Sequence, residues 1–304
     1  MGLERVELTP RDINEQVRGL MSERYVAPDY LRLFQEVFEA QYQTETKLQA
    51  KVLYPLVTKE EADRRLGQGL PIIDPNKLQF DEKELGDLLQ RICSILAEQA
   101  RDRNSAAGRL LKAVESGQLS PSEMARKAVA YDGGYFEQLC EKLGEDKEEL
   151  TFIAKALVAP FLRVCATFIR GKVNLDLALT RSCPICGGAP LMAELQREDG
   201  KRILECSLCN TRWMFERLRC PFCGSVDQNM LGFFFVEEGS AYRVDKCDIC
   251  KRYIKTVDER KRAEDKQMVL AVEDAATLYL DMVAMKEGYQ SIGESLWKEA
   301  IVNG

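Results

Sequence analysis

Eight of the eleven cysteines in this chain form four Cys-x-x-Cys pairs between residues 183 and 250. The pairs are Cys183/Cys186, Cys206/Cys209, Cys220/Cys223 and Cys247/Cys250. Each such turn places two thiolates on one side of a tight backbone knuckle. Two knuckles supply the four soft ligands that zinc or iron takes in tetrahedral geometry. The sequence therefore predicts two metal ions, iron or zinc, each held by four cysteines.

The chain contains no histidine. This excludes zinc sites with histidine ligands, Ser-His-Asp triads and Cys-His pairs. A metal held by four cysteines has no open position for water, so hydrolytic metal catalysis is not expected. We therefore predict no catalytic residues and a protein that is not an enzyme, with redox activity only if the metal is iron.

The spacing of the pairs favours two sequential sites. Nineteen residues separate Cys186 from Cys206, and twenty-three separate Cys223 from Cys247. Each gap is long enough for a β-hairpin that brings two knuckles face to face. The ten residues between the second and third pairs suit one strand and a turn. We predict that the first two pairs share one metal and the last two share the other, while a cross-braced arrangement of first with third stays open.

The residue after the second cysteine of such a knuckle tends to need a positive φ. Gly187 and Gly224 occupy this position in two knuckles, and Asn210 occupies it in a third. Asparagine tolerates the left-handed region best among the other residues. Lys251 occupies it in the fourth knuckle and is the least suitable of the four.

The chain before the first cysteine pair has the apolar periodicity of helices. Helical stripes are predicted near residues 13–20, 31–42, 85–96, 124–131 and 150–168. Asp81 followed by Glu84 forms a capping box ahead of the third stripe. Pro160 is expected to kink the last helix or to divide it. A loop is predicted over residues 66–77, which contain two glycines and two prolines.

The composition changes at Arg181, where short β-like runs begin to alternate with the cysteine pairs. These runs are RILEC, TRWMF, GFFFVEE, AYRVDKC and YIKTV. Helical periodicity returns from Met268 to Glu287. The fold class is therefore α+β: a mainly α-helical N-terminal domain, tandem β modules of the rubredoxin or zinc-ribbon type, and a C-terminal helix. The predicted domains are a helical domain over 1–180, four-cysteine modules over 181–218 and 219–258, and a helix and tail over 262–304.

Charge and hydropathy argue against nucleic acid and membranes as partners. The formal net charge of the chain is −6. The cysteine-rich part from 181 to 257 carries twelve basic and ten acidic residues, which is far from the basic footprint of a nucleic-acid ribbon. The N-terminal residues lack the apolar run of a secretory signal, and Arg163 interrupts the most apolar stretch. We predict a cytoplasmic protein without membrane insertion, and a nucleic-acid-binding ribbon is kept as a minor alternative.

The order of these motifs resembles the FdhE family of formate dehydrogenase accessory proteins. The resemblance lies in CPICGGAP, CSLCNTRW, CPFCGS and CDICKRYIK, and in the closing VEDAATLYLDMVAMKEGY. Trp213, Tyr253 and Lys255 stand at the offsets of the family pattern. The match extends over roughly residues 181 to 290, whereas the first 180 residues agree mainly in helical character.

The resemblance implies a chaperone-like maturation factor that binds the catalytic subunit of a formate dehydrogenase. It also implies two rubredoxin-like metal sites with iron or zinc. Trp213, Arg217, Tyr253 and Lys255 are the predicted partner-binding residues. A rubredoxin-like electron carrier is the main alternative, and the oligomeric state is left open.

Overall fold

The computed structural model describes residues 28–100, 106–144, 147–173, 175, 180–262 and 268–291. The stripe predicted near residues 13–20 and the tail after residue 291 lie outside these ranges. The helices before the first cysteine pair are α1 Pro28–Leu48, α2 Lys59–Gly67, α3 Glu82–Ala100, α4 Ala106–Glu115, α5 Pro121–Val129, α6 Gly133–Leu143 and α7 Lys147–Arg170. The helical character predicted for this part is confirmed.

Side-chain caps start several of these helices. Asp81 accepts a hydrogen bond from the backbone N–H of Glu84 at 3.0 Å, as the capping box predicts. Ser120 caps α5 in the same way, with Pro121 at the first helical position. The α7 helix continues through Pro160, so the expected division of this helix does not occur.

The α7 helix forms the centre of the helical part. By length and composition, residues Glu149–Arg170 would suffice to cross a membrane, but 78% of the apolar window is buried inside the protein. Arg163, which interrupts the apolar stretch, is itself buried and pairs with Glu45 at 3.0 Å and with Gln41 at 2.6 Å. The helix is thus the core helix around which the other helices pack.

Six strands form one mixed sheet in the order β3-β2-β1-β6-β5-β4. They are β1 Pro190–Leu195, β2 Arg202–Cys206, β3 Arg212–Phe215, β4 Leu231–Phe234, β5 Tyr242–Cys247 and β6 Arg252–Asp258. The last five overlap the five predicted β runs, although β4 ends four residues before its run does, whereas β1 was not predicted. All neighbours are antiparallel except β1 and β6, which are parallel. Two three-stranded antiparallel halves therefore share one sheet, and the predicted α+β class is confirmed.

The C-terminal helical segment consists of two short helices rather than one. These are α8 Leu270–Ala276 and α9 Leu278–Lys286, with Thr277 between them. The hydroxyl of Thr277 donates to the carbonyl oxygen of Glu273 at 2.7 Å. The α8 residues pack on Phe38 of α1, while α9 packs on Val244 and Tyr253 of the sheet. The two helices thereby connect the helical part with the second half of the sheet.

Candidate metal centres

The eight paired cysteines form two clusters, and the grouping is the sequential one that the spacing favours. Site A consists of Cys183, Cys186, Cys206 and Cys209, and site B consists of Cys220, Cys223, Cys247 and Cys250. Within each site the four sulfur atoms lie within 4.8 Å of one another. The pairing of the first knuckle with the third, which the sequence left open, is not found.

The sulfur positions fit a tetrahedral metal. In site A, Sγ of Cys183 lies 3.6 Å from Sγ of Cys209, and the sulfurs of Cys186 and Cys206 are 3.4 Å apart. In site B both corresponding Sγ–Sγ distances are 3.7 Å. Four sulfurs at a metal–sulfur distance of about 2.3 Å form a tetrahedron with edges of roughly 3.8 Å. Each group of four cysteines could therefore hold a metal ion such as zinc or iron.

The two halves of the sheet position their cysteines in the same way. In the first half, one knuckle precedes β1 and the other lies at the turn from β2 to β3. In the second half, one knuckle precedes β4 and the other lies at the turn from β5 to β6. In each half, the hairpin turn places its knuckle next to the knuckle that precedes the first strand of that half.

The backbone of all four knuckles has the predicted positive φ. The angle is 80° at Gly187, 53° at Asn210, 79° at Gly224 and 55° at Lys251. At Gly187 the turn is closed by a hydrogen bond from its N–H to the carbonyl oxygen of Cys183 at 2.9 Å. The Lys251 N–H makes the same bond to Cys247 at 2.9 Å, despite the cost of a left-handed lysine.

Backbone N–H groups donate to the sulfur atoms inside the knuckles. Gly188 donates to Cys186, Leu208 to Cys206 and Phe222 to Cys220, each at 3.4 Å. Donors of this kind favour the anionic thiolate that a metal requires. In site B, the hydrogen bond with Cys250 lowers the pKa of Cys220 to about 5. Burial and contacts with neighbouring thiols raise the pKa of Cys186, Cys206, Cys223 and Cys250, so the backbone donors are the feature of the knuckles that favours deprotonated cysteines.

The two sites differ in their exposure to solvent. All four cysteines of site A are buried. In site B, Cys223 is exposed and Cys250 is half-buried. Site A is therefore an interior centre and site B a surface centre.

The helical part contacts the first knuckle of site A directly. The N–H groups of Ile72 and Ile73 donate to the carbonyl oxygens of Pro184 and Ile185, at 2.9 and 2.7 Å. Tyr131 also lies close, because a Cβ added at Gly188 would be 3.1 Å from its hydroxyl. Burial, together with the site A cysteines, raises the pKa of Tyr131 well above its usual value. Sequence reasoning placed these residues only in a loop and at a helix end, since nothing local marks a contact with a distant knuckle.

The three lone cysteines lie outside both sites. Cys93 and Cys165 are buried in the helical core, and burial raises the pKa of each thiol to about 12. Cys140 is half-buried. This arrangement agrees with the interpretation of these residues as core material.

Three of the four predicted partner-binding residues lie inside the protein. The indole N–H of the buried Trp213 donates to the carbonyl oxygen of Thr180 at 2.8 Å. The hydroxyl of Tyr253 donates to Asp281 at 2.6 Å, and Lys255 pairs with the same carboxylate at 2.6 Å. Arg217 is exposed. A role in partner binding stays a prediction for all four, and only Arg217 is available at the surface.

The fold and the two cysteine clusters define a protein in which a helical body is joined to a six-stranded sheet with two all-cysteine centres. The family model described as "FdhE, central domain" matches residues 182–217. The "Protein FdhE homolog" of Aquifex aeolicus is 34% identical over 149 residues, which are 48% of this chain and 51% of that protein. "Protein FdhE" of Escherichia coli is 27% identical over 283 residues, covering 90% of this chain and 83% of that protein.

A solved structure has the same fold. The crystal structure of the FdhE protein from Pseudomonas aeruginosa matches with a TM-score of 0.61 and 20% sequence identity. The match covers 96% of this chain and 97% of that one, so it includes the helical part as well as the sheet. The chain is therefore similar to FdhE proteins over most of its length, in agreement with the motif resemblance.

Proposed function

We propose that this protein is a cytoplasmic accessory protein of formate dehydrogenase that binds the catalytic subunit during maturation. Similarity to FdhE proteins over 90% of the chain is the observation that carries the proposal. The two cysteine clusters support a binding role, because four thiolates leave no open position on a metal for substrate or water. We therefore expect binding of a protein partner without catalysis.

The proposed role of the metals is mainly structural. One metal ion would be bound at site A by Cys183, Cys186, Cys206 and Cys209. The other would be bound at site B by Cys220, Cys223, Cys247 and Cys250. Zinc would fix the knuckles without redox chemistry, whereas iron would add a one-electron couple. In either case the cysteines hold the turns of both sheet halves in place, and the surface next to site B is thereby pre-organised for a partner.

The proposed contact surface is the surface around site B. Six large apolar side chains are exposed in this half: Leu218, Val226, Met230, Phe233, Val236 and Ile249. Exposed apolar side chains grouped in one module are typical of protein-binding surfaces. Arg217 lies next to Leu218 and adds a positive charge for an acidic partner. Trp213, Tyr253 and Lys255 would then affect binding indirectly, by positioning β3 and β6.

Co-purification with the immature catalytic subunit tests this proposal. The metal-loaded chain is expected to retain the subunit, and Val226→Asp should reduce retention at least about tenfold because it buries a charge in the contact. Val52→Asp is the matched control, since Val52 is equally a valine and is 79% exposed in the helical part. No retention of the subunit by fully metal-loaded protein would overturn the proposal.

A second candidate function is electron transfer. The exposure of Cys223 favours it, because a one-electron centre must lie near the surface to exchange electrons with a partner. Visible spectroscopy and voltammetry on anaerobically purified protein separate the two functions. An iron centre with a reversible couple supports electron transfer, whereas colourless zinc in both sites rules it out.

A further inference from the structure

A small cavity beside site B is lined by an unusual number of cations. Its volume is about 190 Å³, and its lining includes Cys220 and Cys247 of site B. Six basic side chains line it: Arg202, Arg217, Arg219, Arg243, Lys246 and Arg252. Among the described residues of this lining, Asp245 is the single carboxylate.

The single carboxylate of the lining is shared between two of these cations. Asp245 is shared by Arg202 at 3.3 Å and Arg243 at 2.8 Å, and it also accepts from Thr256 at 2.9 Å. Outside the lining, Glu216 pairs with Arg219 and Asp248 pairs with Lys246. Four thiolates around a divalent metal carry a net charge of about −2, which neutralises two further cations at most. The lining of the cavity is thus predominantly cationic, with six basic side chains around one carboxylate.

Two of the arginines have free donor capacity. Arg202 is buried, with 4% of the residue exposed, and its Nε has no hydrogen-bond partner in the part of the chain that the structure describes. Burial lowers the pKa of Arg202, and Asp245 offsets this only in part. Arg217 is exposed at the cavity and forms no ion pair with any described side chain. A buried guanidinium with an unsatisfied donor is costly, unless a ligand accepts from it.

The size and donor set of the cavity select a small oxyanion. Cavities for drug-sized ligands measure roughly 300–1,000 Å³, so a cavity of about 190 Å³ is too small for a large cofactor. Guanidinium groups form paired hydrogen bonds with phosphate oxygens, and several arginines together match an anion that carries more than one charge. We propose that the cavity lined by Arg202, Arg217 and Arg243 binds a diphosphate group, either free or as part of a nucleoside diphosphate.

This proposal does not depend on the proposed function, because it concerns only the purified chain. Inorganic pyrophosphate is titrated into the full-length, metal-loaded protein by calorimetry at constant ionic strength. Saturable binding at one site is expected, and Arg217→Gln should weaken it about tenfold or more, as for the loss of a charge-assisted hydrogen bond. Arg64→Gln is the matched control, because Arg64 is an exposed arginine on α2.

The outcomes distinguish a specific diphosphate-binding site from a cluster of arginines that only neutralises the thiolates of site B. The absence of saturable binding, or an equal loss in Arg217→Gln and Arg64→Gln, would show that the arginines only neutralise the thiolates of site B. Metal content is measured for each variant, so that a loss of site B is not mistaken for a loss of the anion. A second titration with ADP identifies the source: tighter binding than pyrophosphate indicates a nucleoside diphosphate, and weaker binding indicates the free anion.

Discussion

Lys251 is the residue whose conformation fits its type least well. Its φ of 55° lies in the left-handed region, where a residue other than glycine costs about 1–2 kcal/mol. Its side chain forms an ion pair with Asp248 at 3.0 Å, but Lys251 is exposed and such pairs contribute roughly 0–1 kcal/mol. The ammonium group also lies 5.5 Å from the centre of the Tyr289 ring, and the two exposed side-chain contacts together offset only part of the backbone cost.

Replacement of Lys251 by glycine is thus expected to stabilise the protein. We predict that Lys251→Gly raises the free energy of unfolding by about 1 kcal/mol, measured by denaturant titration of the metal-loaded protein. Asn210→Gly serves as the comparison and should give a smaller gain, because asparagine tolerates the left-handed region better. A lower stability of Lys251→Gly would mean that the contact with Asp248 is the stronger contribution.

Gly188 is required for a different reason, which is space. A Cβ at this position would lie 2.7 Å from Sγ of Cys206 and 3.3 Å from Sγ of Cys186. Sulfur atoms held by a metal cannot move aside without loss of ligand geometry. We predict that Gly188→Ala empties site A and lowers the bound metal from two ions to one per chain, measured by elemental analysis.

A matched glycine provides the control for this variant. Gly134 lies on α6, and a Cβ there would meet only Asp132 at an ordinary contact distance of 3.7 Å. Gly134→Ala should keep both metals and should stabilise the helix slightly. Full metal content in Gly188→Ala would contradict the close packing around site A.

At the scale of elements, Lys255 of β6 forms ion pairs that connect α8 and α9 to the sheet. Its ammonium group lies 2.9 Å from Asp274 of α8 and 2.6 Å from Asp281 of α9, and the lysine side chain is 4% exposed. Burial acts to lower the pKa of Lys255, but the two aspartates outweigh it and the pKa is raised. The lysine is therefore charged, and both carboxylates depend on it.

Removal of this charge should loosen the contact of the helices with the sheet. We predict that Lys255→Met destabilises the protein by about 3–5 kcal/mol, because two partly buried carboxylates lose their partner. Hydrogen exchange of residues 278–286 should accelerate. Lys286→Met, at an exposed position of the same helix, should leave both quantities unchanged. Slow exchange in Lys255→Met would mean that the apolar contacts of α9 suffice to hold it.

Residue patterns along short stretches of the chain predict most of the helices and strands. Five strands overlap the predicted runs, which contain β-branched or aromatic residues. The β1 strand was missed because its sequence, PLMAEL, contains no β-branched or aromatic residue that would mark it as a strand. Its parallel pairing with β6 joins residues about sixty positions apart, such as Ala193 and Thr256, and no local pattern reports such a contact.

The candidate sites also divide into features that a local pattern predicts and features that depend on contacts between distant residues. The eight cysteines follow from residue type and the Cys-x-x-Cys spacing, which favoured their sequential pairing but left the cross-braced pairing open. The burial of Trp213, Tyr253 and Lys255 could not be predicted, since it depends on how α8, α9 and the helical part cover the sheet. The break at Thr277 was also hidden, because the apolar periodicity of α8 continues into α9.

At the scale of the whole molecule, the two sites differ in access to solvent. Cys223 of site B is exposed, whereas every cysteine of site A is buried. We predict that a chromogenic chelator removes the two metals in two separate phases, with site B emptied first, as measured by absorbance after mixing. Cys220→Ser with Cys223→Ser should abolish the fast phase and leave the slow one. A single phase for both metals would contradict the difference in access.

Site A and the helical part share one core. The largest buried apolar cluster contains helical residues such as Ile92 and Phe161 together with all four cysteines of site A, but none of site B. A metal at site A would therefore support the packing of the helices, whereas a metal at site B would support mainly its own half of the sheet. A structural zinc contributes on the order of 10–16 kcal/mol in small peptides, which is comparable with the roughly 5–15 kcal/mol that stabilise a whole domain.

Loss of site A should therefore unfold more of the chain than loss of site B. We predict that Cys183→Ser with Cys186→Ser strongly reduces the helical signal in circular dichroism at 37 °C, because the shared core loses its fixed knuckle. Cys220→Ser with Cys223→Ser removes the same number of ligands and should retain most of that signal. Equal helical signals in the two double variants would show that the helical part folds independently of both metals, even though its core is continuous with site A.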